Sequence, residues 1–194
     1  MATVWLKSVF LLGIVAQIVI RIPYNRQRQQ TQVTTDRVSN QEKVLLGLLF
    51  VSLVVPLIYI FTDWLAFADY SLPLWAGIAG VLLLLLSLWL FWRSHADLGR
   101  NWSPSLQIME SHTLVTKGIY RLIRHPMYAS QWVFVVAQIL LLPNWIAGPA
   151  TLVVFAPFYF LRVPQEEQMM LEQFGAAYRA YMVQTGRVLP KWGK

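Results

Sequence analysis

The chain contains no cysteine, which excludes disulfides, thiolate metal sites and cysteine nucleophiles. It is also short of charge. Asp, Glu, Lys and Arg make up 13% of its 194 residues, against about 25% in an ordinary soluble domain. Neither G-x-x-x-x-G-K nor G-x-G-x-x-G occurs, so no Gly-rich phosphate loop is expected, and the G-x-S-x-G elbow of serine hydrolases is missing too. Only three histidines exist, His95, His112 and His125, and none are spaced i, i+4, so no metal site is expected. Apolar residues fill the chain instead, at 57%. That excess points to lipid as the solvent for much of the protein, and the length suggests a single domain, 1–194.

Four stretches are apolar enough to cross a bilayer. Residues 2–20 carry only Lys7, while 44–62 and 72–92 carry no charge. Residues 127–161 are also uncharged, but LPNWIAGP interrupts them at 142–149. A crossing needs about 20 residues, so 127–161 reads as a hairpin of two short helices. The expectation is an all-α integral membrane bundle of about five transmembrane helices, three of them within 1–92. The first reads as a retained helix rather than a signal peptide, because its positive cluster follows the apolar run and no small-x-small cleavage site precedes that cluster.

Charge sets the orientation. Segments 21–43, 93–124 and the tail from 162 hold 15 of the 16 Lys and Arg residues, and five helices put all three on one side. The opposite loops carry only Asp63 and Asp69. The positive-inside rule then places the basic side in the cytoplasm and the N-terminus outside. On that side, RQRQQTQVTTDRVSNQE reads as an exposed loop, with Ser39 and Glu42 as a capping box before the second apolar run. Residues 93–118 read as an irregular segment whose apolar content argues against disorder. After Arg162, Pro164 fits a first helical turn, and Met170, Phe174, Tyr178, Tyr181 and Met182 recur near helical spacing. This predicts a C-terminal amphipathic helix ending near Thr185-Gly186.

Two clusters stand out. KGIYRLIRHPMYAS places Arg121, Arg124, His125 and two tyrosines just before an apolar run. They fit a helix start with interfacial aromatics. Glu166 and Glu167, just after Arg162, fit a helix dipole. The hairpin, however, returns Arg162 and Glu166 to where it left Arg124, His125 and Tyr128. Cations, carboxylates, an imidazole and phenols thus converge at one membrane–water boundary, an arrangement suited to a small zwitterionic ligand.

LGRNWS, SHTLVTKGIYRLIRHPMY, and Arg162 followed by EE and FGAAY occur in an order that resembles the isoprenylcysteine carboxyl methyltransferase family. The resemblance spans roughly residues 93–187 and is to the compact prokaryotic, archaeal form of that family. Phospholipid N-methyltransferases share a weaker version. The resemblance implies an S-adenosylmethionine-dependent membrane methyltransferase with a cytoplasmic cofactor pocket and no Rossmann sheet, its catalytic half lying in 93–194. It implies cofactor contacts from Gln107, His112, Thr113, Leu114, Val115, Tyr120, His125, Pro126, Met127, Tyr128 and Glu166. Arg162 would meet the substrate carboxylate. The implied partners are membrane lipid and a lipophilic or prenylated acceptor, without nucleic acid, in a multi-pass cell-membrane protein. A phospholipid or small-amine N-methyltransferase is the alternative. A non-enzymatic transport or receptor subunit would call for polar residues inside the apolar runs, where Gln17 and Gln138 are nearly alone.

Overall fold

A computed structural model describes residues 2–30, 33–36, 39–103, 107–109 and 113–191. Seven α-helices carry the described chain: α1 (Ala2–Gln29), α2 (Asn40–Ser52), α3 (Val54–Phe61), α4 (Leu74–Leu98), α5 (Pro126–Leu141), α6 (Ala150–Phe174) and α7 (Ala176–Gln184). The all-α membrane architecture expected from the apolar runs is present. Helices α2 and α3 join into one 22-residue rod. This rod, α1 and α4 are each long and apolar enough to cross a membrane. Their most apolar windows are only 17%, 17% and 33% buried, so most of that surface faces outward, as lipid solvation requires. Helix α5 has 16 residues, about 24 Å at 1.5 Å per residue, and falls short of a hydrocarbon core of about 30 Å.

Small residues bring the long helices together, as they do where no hydrophobic force separates helix from lipid. Gly13 of α1 faces Leu84 of α4, and Gly80 faces Leu140 and Leu141 of α5. Deeper along the α4–α5 seam, the Ser87 hydroxyl donates to the Ser130 carbonyl at 3.0 Å. The hairpin turn between α5 and α6 is held by Asn144, which is fully buried. Its side-chain oxygen accepts the Ile146 and Ala147 N–H groups, and its amide donates to the Leu65 carbonyl and to Asp69. Gln138 donates to the Ala147 carbonyl at 2.8 Å, so this intramembrane amide serves the turn.

The structure departs from the sequence reading at several points. Helix α4 runs on to Leu98, so the start of the 93–118 segment is helical rather than irregular, and the expected C-terminal amphipathic helix is interrupted at Gly175, between α6 and α7. Helix α1 continues through Pro23 to Gln29. The segment after it is not a free loop, because β1 (Val33–Asp36) pairs antiparallel with β2 (Gln107–Met109), tying together the first two basic segments. Pro164 lies inside α6 rather than in a first turn. An interior proline costs about 3 kcal/mol. Here buried Phe158, Tyr159 and Val163 anchor the helix around it, so the second hairpin arm and most of the amphipathic stretch form one rod up to Gly175.

Candidate active site

The wall of the site is built from the chain leaving α4. That helix stops at Gly99, whose N–H donates to the His95 carbonyl. Just beyond, Asn101 holds Thr113: the Thr113 N–H donates to Asn101 Oδ1 at 3.0 Å, and Asn101 Nδ2 donates to Thr113 Oγ1 at 3.2 Å. Gly118, at φ +61°, turns the chain so that the Ile119 N–H reaches Asp97 Oδ2 at 2.8 Å. Asp97 is itself held by Arg93 at 2.7 Å. Tyr120 is thereby buried, with its hydroxyl donating to the Ser94 carbonyl and its carbonyl accepting from Tyr181. Burial, reinforced by nearby Glu166, pushes the Tyr120 phenol well above its ordinary pKa, so it stays a neutral donor.

The Arg124-His125-Pro126 segment is fastened from the far end of the chain. The Arg124 and His125 N–H groups donate to the Gly186 and Arg187 carbonyls, both at 2.8 Å. Pro126 then opens α5 at a position where its missing N–H costs nothing. Glu167 joins the two strands. Its Oε1 accepts from Arg124 Nε at 3.0 Å and lies 3.3 Å from His125 Nε2, while its Oε2 takes both Arg187 Nε (3.0 Å) and Nη2 (2.7 Å). Burial alone would raise this carboxyl. The bonds from His125, Arg187 and Arg124 outweigh it and bring the pKa down to about 2.

Glu166, one residue earlier, faces a cavity of about 460 Å³. Its Oε2 accepts the Tyr128 hydroxyl at 2.8 Å and lies 3.8 Å from Arg162 Nε, while its Oε1 lies 3.7 Å from His125 Nδ1. The two adjacent glutamates therefore differ in role: Glu167 is saturated by protein cations, whereas Glu166 presents a 30%-exposed carboxylate to the cavity. Thr113, Leu114, Val115 and Tyr120 line this space, as do His125, Pro126, Met127 and Tyr128, and Arg162 closes it beside Glu166. Gln107 lies in β2, with only its backbone described, and His112 falls outside the described residues. Apolar Leu46, Leu49 and Phe50 of α2 and Phe155 and Phe158 of α6 line the same cavity.

Sequence reasoning missed Glu42, whose carboxylate accepts from Arg162 Nη1 across 120 residues of chain. Its capping position explained it locally, since Ser39 Oγ accepts the Glu42 N–H at 3.1 Å, and no local signal announced a partner on α6. Gln17 also lines the cavity. Its place as a rare amide in an apolar run was the signal that could have found it. Among the described residues, no three His, Asp or Glu side chains group as metal ligands.

The family model for isoprenylcysteine carboxyl methyltransferases matches residues 75–172, half of the chain and the portion that builds the cavity wall and its carboxylates. The chain belongs to the isoprenylcysteine carboxyl methyltransferase family. A protein-S-isoprenylcysteine O-methyltransferase A of Arabidopsis thaliana is 36% identical over 85 residues, 43% of this chain and 43% of that relative. The human protein-S-isoprenylcysteine O-methyltransferase is 28% identical over 118 residues, 60% of this chain and 42% of its own length. The chain thus spans less than half the length of the curated relatives it matches. Among solved structures, the eukaryotic intramembrane Ras methyltransferase of this family superposes with a TM-score of 0.53 at 25% identity, over 81% of this chain and 54% of that one.

Proposed function

We propose that this family member is an S-adenosylmethionine-dependent carboxyl O-methyltransferase acting on a lipophilic, prenylcysteine-like carboxylate at the cytoplasmic boundary of the cell membrane. The observation that carries this reading is the pairing, on one turn of α6, of a cation and a carboxylate that both line a cavity shared with apolar side chains of α2 and α6. The cavity volume lies in the roughly 300–1,000 Å³ range of small-molecule sites. Its residues suit the cofactor: Glu166 for an ammonium, Tyr120 and Tyr128 for a cationic centre, and His125 with the 113–115 backbone for polar groups. S-adenosylmethionine supplies a methyl group on a positively charged sulfur.

The chain's own part is to bind, align and exclude water. Phe155, Phe158 and Leu49 receive the acceptor's tail from the lipid side, and Arg162 takes its carboxylate. An acceptor carboxylate is already ionised near neutral pH, so no general base is needed. Glu167, held at about 2, and Tyr120, held neutral by burial, make poor bases and fit that requirement. Two unit charges about 4 Å apart interact by about 4 kcal/mol at an effective dielectric of 20. That sign favours a carboxylate at Arg162 and opposes an ammonium. With a labelled methyl donor, the native protein is expected to methylate N-acetyl-S-farnesylcysteine, and Arg162→Ala to abolish that while leaving cofactor affinity within a few fold. Robust methylation of phosphatidylethanolamine, with none of the farnesylated acid, would move the assignment to an N-methyltransferase.

A further inference from the structure

The cation assigned to the acceptor is already engaged. Arg162 and Glu42 are 6% and 4% exposed, and their side chains form a direct ion pair between α6 and the first turn of α2. Glu166 lies 3.8 Å from the same guanidinium. Among the described residues, two carboxylates therefore lie within 4 Å of this guanidinium before any ligand arrives. An incoming carboxylate competes with both for it. Glu166 is also tied to Tyr128. Glu42 comes instead from α2, whose Leu46, Leu49 and Phe50 line the cavity. A void of about 10 Å³, bounded by Gln41, Glu42, Leu45, Phe158, Arg162 and Gln165, adjoins the pair.

We propose that Glu42 is a built-in competitor for the acceptor carboxylate: it occupies Arg162 in the resting protein, yields it to an incoming acid, and reclaims it once methylation has turned that acid into a neutral ester. This inference rests on the carboxyl methyltransferase reading. It makes Glu42 a specificity-determining residue that acts through Arg162. The apparent affinity for the acid is reduced by the fraction of time Glu42 holds the guanidinium. The ester has no charge to contest it. Glu42 thus disfavours retention of product, because the charge that drew the acid in is taken back from the ester by the protein itself.

The test compares binding of N-acetyl-S-farnesylcysteine and of its methyl ester, by calorimetry in the presence of S-adenosylhomocysteine, in the native protein and in Glu42→Gln. The glutamine keeps a carbonyl for Arg162 but removes the competing charge. Acid affinity is expected to rise by about ten-fold or more, the scale of a charge-assisted hydrogen bond, with ester affinity unchanged. An unchanged acid-to-ester ratio, or an equal gain for both, overturns the inference and leaves Glu42 a structural tie. A native protein that binds and methylates no farnesylated acid sinks the underlying reading instead. Should Glu42→Gln fail to fold, spin labels at Lys43→Cys and Gln168→Cys, both exposed and placed in an otherwise cysteine-free chain, give an independent readout. The acid is expected to lengthen the α2–α6 distance and the ester to leave it unchanged. No change with the acid would rule out the displacement.

Discussion

Under the proposed function, adjacent Glu166 and Glu167 divide ligand binding from architecture. Glu166→Gln is expected to weaken S-adenosylhomocysteine binding about 10–150-fold, the worth of a charge-assisted hydrogen bond, with little change in melting temperature. Calorimetry beside a thermal melt checks both. Glu167→Gln is expected to do the opposite. It leaves Arg124 and Arg187 facing a neutral amide, and breaking the buried Arg124 pair costs roughly 3–5 kcal/mol. The pH dependence has a defined sign. The folded carboxyl sits at about 2 against an ordinary value of 4.5. Its contribution, roughly 3 kcal/mol, is therefore complete above about 4.5 and is lost as pH falls toward 2. Melting in detergent between pH 2 and 5.5 should show this acid limb in the native protein and a flatter one in Glu167→Gln. The doublet EE was legible in the sequence, and the family resemblance singled out Glu166, but the structural work of Glu167 was not readable. Which neighbour meets Arg187 depends on the return of the 185–187 strand alongside 123–125, a contact between segments some sixty residues apart.

Among the elements, the turn at Gly118 controls how the 113–125 segment meets the cavity. Its φ of +61° costs an ordinary L-residue roughly 1–2 kcal/mol, and an added Cβ would fall onto the Asp97 carboxylate that anchors Ile119. Gly118→Ala is therefore expected to dislodge the wall carrying Thr113–Val115 and Tyr120. Cofactor-product affinity should drop at least ten-fold while the far-ultraviolet circular dichroism stays helical; unchanged affinity would show that the wall is set elsewhere. Helix periodicity and the Pro126 start were readable from local sequence, because a helix is specified by residues three and four apart. The pairing of β1 with β2 was not, since four- and three-residue strands leave no periodic pattern and their partner lies more than seventy positions away. The continuity of α6 was hidden for a different reason: Pro164 is a local stop signal that buried neighbours override.

For the molecule as a whole, the one-sided placement of Lys and Arg predicts that the charged residues of the site face the cytoplasm. Single cysteines at Gln29, Asp63 and Gln184, exposed positions on the two opposing sides, test this with a membrane-impermeant thiol reagent. Only Asp63→Cys is expected to label from outside an intact cell, and labelling of Gln29→Cys from outside would invert the topology. The apolar runs already announced the bundle and its lipid-facing surface. The depth of the hairpin was less accessible, because α5 is too short to span alone and α6 carries its charged half past residue 161.

The fastening of Arg124 and His125 by residues 182–187 also sets an order of events. The cavity wall leaves the ribosome well ahead of the groups that secure it: the Thr185 carbonyl that receives Arg124 follows 61 positions later. The membrane helices α1 to α4 are complete by residue 98 and can enter the bilayer before any of this happens. Ligand competence is thus withheld until the last helix has docked, so a nascent chain would be anchored in lipid before it could hold a ligand.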